Sequence, residues 1–566
     1  MTHSLAAFPP FLIFFVGALL IPFLHERFRP AWSLFVPLTG LINLMGIEHG
    51  VYWQTGILDY TLTLGRVDGL SFFFALLFHI ATVLASIFAL HVRDPIQQVC
   101  ALLYSGAALG AVMAGDLLTL FIFWEIMAVS SGFLIWARRT PRAESAGQRY
   151  LITQVLSGVI LLAGAIIYYG ETGSLAFEAL SLETLGAKMI LLAFGIKCAW
   201  PFLHNWLTDA YPEATPTGTV FLSAFTTKVA VYALVRSFPG TEMLIWVGTA
   251  MAMFPIFFAV IENDLRRVLS YSLINQVGFM VVGIGLGTEL ALNGAVSHAF
   301  NDVVFKGLLF MSMGAVLHMT GRIDGTDLGG LYKSMPWTTT FCIVGAASIS
   351  AFPLFSGFVS KSMVMAAAAQ EGYVVVFLLL LFASAGVFHH AGIKIPFFAF
   401  FAHDSGLRPS EAPRNMLVAM GLAAFICVFN GVYPWILYDL LPWQVDYQPY
   451  TLTHIITQTQ LLFFSALAFT LLMIADLYPP ELKLVNLDAD WFIRRLGKAL
   501  ILGVGGSVML AWSNLVSVLR AGAGGVGGYL WHSHGPRGIF SRTWPTGATV
   551  MWIGVLLVVY LLINYV

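Results

Sequence analysis

Apolar residues run along the chain in blocks of about twenty, separated by short polar stretches, with no period-two alternation of the kind a β-barrel strand shows. The blocks cover roughly 8–24, 31–47, 67–90, 96–114, 117–137, 150–169, 188–203, 218–238, 243–262, 268–286, 290–319, 337–369, 371–400, 415–434, 457–477 and 548–566. Each is long enough to cross a bilayer as a helix, so the pattern predicts an all-α integral membrane protein with about sixteen transmembrane helices. The first block follows MTHSLAAFPP, which has neither a basic n-region nor a cleavage site, and it is therefore expected to stay as a helix.

Composition agrees. Of 566 residues, 58% are hydrophobic and 10% are charged, with a net charge of -1. Soluble chains carry about 25% charged residues, and disordered ones more, so both classes are excluded. The neutral balance gives no reason to expect nucleic acid as a partner. Four cysteines, Cys100, Cys198, Cys342 and Cys427, lie in separate blocks without a CxxC, and neither a phosphate loop nor an HExxH helix is present. Neither a cofactor nor a metal is expected. The glycine-rich 521–528 (AGAGGVGG) lacks the Lys-Ser/Thr of a phosphate loop and reads as a turn or joint.

The basic residues set orientation. With the N-terminus outside, 17 Lys and Arg fall in loops on the inner side, whereas Arg66, Lys188 and Arg236 fall outside. Arg520, Arg537 and Arg542 lie in a tail whose side the count does not assign. Five lysines are left inside or at the edge of apolar blocks: Lys197, Lys228, Lys306, Lys361 and Lys394. A lysine at mid-bilayer costs about 2.5–3.5 kcal/mol on insertion scales, so five imply a polar or ion-paired interior. Glu125 is an acidic counterpart, eight residues beyond the start of its block, where Asp116 caps the membrane edge. His298, Asp302 and Lys306 recur every fourth residue and form one helical stripe able to pass protons. The alternative is a simple Asp302–Lys306 salt bridge. Pro201 follows Lys197, and Pro353 and Gly357 precede Lys361. Breaks of this kind line cavities in transporters, although packing kinks also occur. The histidine pairs His389–His390 and His532/His534 read as packing or loop residues rather than haem ligands.

GIKCAWPFLHNWLTDAYPEATPTGTVFLSAFTTKVAVYALVR (195–236), DLRRVLSYSLINQVG (264–278), SHAFNDVVFKGLLFMSMG (297–314), LFIFWEIM and FPLFSGFVSK resemble the motifs of the antiporter-like proton-translocating membrane subunits. This family occurs in respiratory complex I, Mrp-type cation/proton antiporters and membrane-bound hydrogenases, and the likeness runs from about Asp68 to Pro434. In SHAFNDVVFK, Asn301–Asp302 replace the second His region of the family pattern. The resemblance implies two inverted five-helix repeats, at 96–238 and 243–400, each with one broken helix. Residues 1–95 would be N-terminal helices, 401–480 following helices, 481–547 a membrane-surface helix and joint, and 548–566 an anchor helix. By matching, Glu125 and Lys197 would be the acid–base pair of one half-channel, with Lys228 linking it to the centre. Lys306 and His298 would carry the path onward to Lys361 near the opposite exit. For Lys394, structural pairing and transport stand equal.

GIKIPFFAFFAHDSGLRPSEAPRNMLVAMGLAAF (392–425) is most similar to D-type Mrp subunits. The resemblance therefore implies the proton-moving subunit of a multisubunit Na+/H+ exchanger, working with other membrane subunits in a bacterial cytoplasmic membrane. Two alternatives within the family are a pumping subunit of a complex I-like or hydrogenase redox complex and an energising subunit for inorganic-carbon uptake. An ion pair Glu125–Lys197 would keep both buried charges. Withdrawing the carboxylate would drive the ammonium to give up its proton.

Overall fold

The structure is a computed structural model that describes residues 8–57, 60–479, 481–484, 486–536, 538, 541 and 545–565. The first seven residues, Arg537 and Arg542 lie outside the described residues. Two compact units divide the chain, one through Asn486 and one from Leu487.

The first unit opens with α1 (Pro10–Leu20) and α2 (Arg29–Met45), then a hairpin of β1 (Gly50–Ile57) and β2 (Tyr60–Val67). The apolar blocks did not foreshadow this hairpin. Its antiparallel register pairs Gly50 with Val67 and Ile57 with Tyr60. It is fastened by the Thr63 amide donating to Asp116 Oδ2 at 2.7 Å and the Gly115 amide donating to the Thr63 carbonyl at 3.0 Å. Next come α3 (Gly69–Phe88), α4 (Pro95–Met113), α5 (Leu117–Trp136), α6 (Pro141–Thr172), α7 (Leu185–Lys197), α8 (Asn205–Ala210), α9 (Pro216–Ala224) and α10 (Thr226–Ser237). These are followed by α11 (Glu242–Ile261), α12 (Leu265–Leu286), α13 (Glu289–Thr320), α14 (Pro336–Ile349), α15 (Ser356–Gln370) and α16 (Val374–Val387). From α16 the chain continues as π-helix over Phe388–Lys394 and Phe397–Phe401, then α17 (Arg414–Val432), α18 (Trp435–Asp439) and α19 (Leu452–Ile474).

Among the described residues, thirteen helices are long and apolar enough to cross a membrane. The remaining blocks are the shorter apolar Pro10–Phe23, α2 with its internal Pro37, and the interrupted pairs α7–α8 and α14–α15. The chain is a multi-pass integral membrane protein.

The backbone repeats itself. α6 and α13 are both 32 residues long; Thr140 and Thr288 cap their starts, and Gly173 and Gly321 close them at φ 72° and 70°. Asp116 caps α5 and bridges to Ala176, while Asp264 caps α12 and bridges to Asp324. Each of these features recurs 148 residues later. The same succession of caps and closing turns thus occurs twice along the chain.

The helix breaks repeat too, now 152 residues apart. Ala199 and Phe202 have φ 62° and 67°, and Ala351 and Leu354 have φ 58° and 73°. A non-glycine residue held there costs about 1 kcal/mol or more. The helix ladder ends in the same way in both copies: the amides of Trp200 and Phe352 donate to the carbonyls of Gly195 and Ala347. Each break thus starts before its proline, at Lys197 and Ile349, and Pro201 and Pro353 sit inside the turn. Gly357 is needed at the restart of the second helix, where a Cβ would collide with the Ser348 carbonyl.

The second unit contains α20 (Asp490–Phe492), α21 (Lys498–His534) and α22 (Thr546–Tyr565). The glycine-rich 521–528 lies within α21, so the expected turn or joint is instead helix. Each glycine costs about 1 kcal/mol there, but in apolar surroundings a helix is the local way to satisfy every N–H and C=O.

Candidate buried charge chain

In the first repeat, Lys197 ends α7 at the break and is fully buried. Its ammonium donates to the Trp124 carbonyl at 2.7 Å and lies 4.4 Å from the centre of the Trp124 ring. The indole is held in turn: its Nε1 donates to Ser157 Oγ at 3.1 Å, and Ser157 donates to the Ala193 carbonyl at 2.8 Å. Glu125, the next residue on α5, is near enough to interact electrostatically with Lys197. The expected direct ion pair is replaced by this lysine–carbonyl contact. The Glu125 carboxylate instead lies over Gly158, where any Cβ would collide with it.

The centre joins the two repeats. Lys228 of α10 pairs with Asp302 Oδ2 of α13 at 2.5 Å, and both side chains have 0% exposure. Lys228 also donates to the Ser223 carbonyl at 3.3 Å, which the interruption between α9 and α10 at Phe225 leaves available. That interruption was not legible as a proline or glycine. It is stitched by Tyr104, whose hydroxyl accepts from the Thr226 amide at 3.0 Å and meets Thr226 Oγ1 at 2.5 Å. Asp302 therefore serves the other repeat rather than its helical neighbour Lys306, which corrects the intrahelical salt-bridge alternative. Lys306 donates to Ser272 Oγ of α12 at 2.6 Å.

His298 spans α12, α13 and α15. Its Nε2 meets Gln276 Oε1 at 3.1 Å, and its Nδ1 meets Ser360 Oγ at 3.0 Å. Gln276 Nε2 donates to Asn275 Oδ1 at 2.7 Å, which orients the amide with its oxygen toward the imidazole. With that oxygen facing it, Nε2 is the donor nitrogen of His298. Lys361 donates to the Ile349 carbonyl at 3.0 Å, at the broken end of α14 where the helix dipole is negative, and lies 5.1 Å from the Phe279 ring centre.

Residues 114–388 match the family model described as NADH:quinone oxidoreductase/Mrp antiporter, transmembrane. That segment belongs to this family. The chain is 30% identical over 501 residues to the A-type Na(+)/H(+) antiporter subunit of Alkalihalophilus pseudofirmus, covering 76% of this chain and 61% of that protein. It is 33% identical over 309 residues to the D-type subunit of the same organism, covering 50% of this chain and 62% of that protein. The chain thus spans about three-fifths of either relative. In fold it resembles a chain of the archaeal membrane-bound sulfane sulfur reductase, a respiratory membrane complex, with TM-score 0.71, 21% identity, and coverage of 98% and 99% of the two chains.

Two features of this chain lay outside sequence reasoning. Arg266, counted among the loop arginines, is fully buried at the start of α12. It donates to the carbonyls of Pro212 at 2.9 Å and Ala214 at 3.0 Å and to the Thr219 hydroxyl, locking the turn between α8 and α9. The other is Glu481. Lys394, past the end of the family match, donates to the carbonyls of Ala259, Val260 and Glu262 at 3.2, 2.6 and 2.6 Å, at the C-terminus of α11. It also pairs with Glu481 Oε1 at 2.9 Å, with the carboxylate only 7% exposed. A leftover buried lysine announces that it needs a partner; nothing in the spacing says the partner comes from beyond α19. No group of three or more His, Cys, Asp or Glu side chains able to hold a metal occurs among the described residues.

Proposed function

We propose that this chain is the proton-translocating subunit of a multisubunit Mrp-like cation/proton antiporter, exchanging H+ for Na+ or another cation in company with other membrane subunits. The path runs from Glu125 and Lys197 through Lys228 and Asp302 to Lys306 and His298, then to Lys361, with Lys394 as a flanking group. The observation that carries this reading is the Lys228–Asp302 pair, buried between the repeats and flanked by lysines on neutral acceptors. A carbonyl or hydroxyl holds an ammonium without supplying a compensating negative charge, so a shift of the central carboxylate changes the balance at both neighbours. Both relatives from Alkalihalophilus pseudofirmus carry the name of Na(+)/H(+) antiporter subunits, which supports exchange. The positive-inside count supports an N-terminus outside a bacterial cytoplasmic membrane.

A second reading, a pumping subunit of a redox-driven complex, is favoured by the fold match to the sulfane sulfur reductase chain, which extends over 98% of this chain. Vesicles containing the assembled complex separate the two. A Na+ gradient alone drives proton movement in an exchanger, whereas a redox pump needs its electron donor. In either case Lys197→Ala and Glu125→Ala abolish proton movement while the subunits remain assembled, and unchanged flux in both variants overturns the path.

A further inference from the structure

Lys394 sits where α16 has widened into π-helix, a distortion that often marks functional sites. In a π turn, residues four to five apart lie above one another, which stacks His389 and His390 over Lys394. His390 is fully buried and within electrostatic reach of both Lys306 and Lys394. The turn packs against the second helix break, where a Cβ on Gly392 would collide with Ser350 Oγ. An imidazole with one donor and one acceptor nitrogen is therefore within electrostatic reach of both Lys306, in the charge chain, and Lys394.

Glu481 closes that edge. It comes from the segment after α19, in which Lys483 pairs with Asp327 and Asn486 donates to Glu262. The groups that face it are Lys394, Glu262 and Tyr478. Glu262 is occupied elsewhere: Oε1 accepts the amides of Asn263 and Asp264 at 3.0 and 3.2 Å, and Oε2 accepts Asn486 Nδ2 at 3.1 Å. Glu481 is thus the carboxylate left to balance Lys394. Burial raises its carboxyl above the usual range, although Lys394 pulls the other way, so it takes up a proton more readily than an exposed glutamate.

We infer that Glu481 and Lys394 form the closed mouth of an additional water route, leading from Glu481 past His390 to Lys306, with Glu481 as the group that takes the proton. A proton from water binds the Glu481 carboxylate, the ion pair with Lys394 loosens, and the proton passes through the His390 imidazole to Lys306 in its neutral amine form. As a proton route this rests on the proposed proton translocation; as a route for water it rests on the buried Lys394–Glu481 pair and the π turn that carries His390.

The experiment uses the assembled complex in sealed vesicles and a small charged thiol reagent added on the face that bears Lys483. The native cysteines Cys100, Cys198, Cys342 and Cys427 are all buried, so the unsubstituted chain is the blank. A cysteine placed by His390→Cys reacts slowly by itself, about tenfold faster with Glu481→Gln added, and slowly again with Glu481→Asp, which keeps the pair. Lys394→Gln gives the same acceleration and serves if the glutamine variant does not assemble. Equal rates in assembled variants overturn the route. In parallel, Glu481→Gln on the unmodified chain moves the pH of half-maximal proton flux by about one unit, and Glu481→Asp restores it. An unchanged profile overturns the proton-taking role. A parent complex without proton flux defeats the proposed function, and the labelling rates still decide the route.

Discussion

Lys228 and Asp302 meet at 2.5 Å across the junction of the two repeats, with neither side chain exposed to solvent. Two opposite charges withdrawn this far from water are stable only together, so each repeat holds the other's charge in place. Removing one partner leaves an uncompensated buried charge, which costs about 3–5 kcal/mol. Lys228→Met or Asp302→Asn therefore lowers the melting temperature of the purified complex and stops flux. The double variant Lys228→Met/Asp302→Leu recovers most of the stability but none of the flux. Thermal melts read beside vesicle flux separate the two effects.

Glu125 and Gly158 are matched in size. Gly158→Ala pushes a methyl into the carboxylate, an overpacking expected to cost about 1–3 kcal/mol and to displace Glu125 from Lys197. Flux falls with it. Shortening the acid in Glu125→Asp/Gly158→Ala returns part of both, measured as melting temperature and initial flux rate.

Gly357 tests the second helix break independently of charge. Gly357→Ala places a Cβ against the Ser348 carbonyl, which is backbone and cannot rotate away. The expected loss is about 1–3 kcal/mol, read as a lower melting temperature. Lys361, anchored on Ile349 within the same break, loses its place, and flux drops by more than the melt implies.

Asp68 gives a pH signature at the aqueous edge. Burial alone would push its carboxyl up, but the hydrogen bond from Arg236 at 2.8 Å and its charge, helped by the Ser71 amide, hold it down at about 2. A carboxyl lowered in the folded state stabilises above its unfolded value of about 4, and that contribution is lost as pH falls toward 2. The melting-temperature difference between the unmodified chain and Asp68→Asn should stay level above about pH 4 and vanish near pH 2. A difference that instead changes between pH 5 and 8 would point to another group.

The sequence by itself determined the class and the crossing pattern, because length and apolarity are local properties and a bilayer accepts only segments that satisfy their own backbone. It also singled out the lysines, since a charge in an apolar block is visible without knowing what surrounds it. The breaks at Ala199–Phe202 and Ala351–Leu354 were half legible: proline marks the place, but strained φ angles and the shared ladder ending belong to the folded chain. Partner choice was decided only by tertiary structure. Asp302 and Lys306 lie one helical turn apart, yet packing brings Lys228 to Asp302 and Ser272 to Lys306. Lys394 finds Glu481 from a segment that reads as the approach to a surface helix. A buried charge selects whichever opposite or polar group the fold delivers within about 3 Å, and that distance is set by helices far apart in the chain.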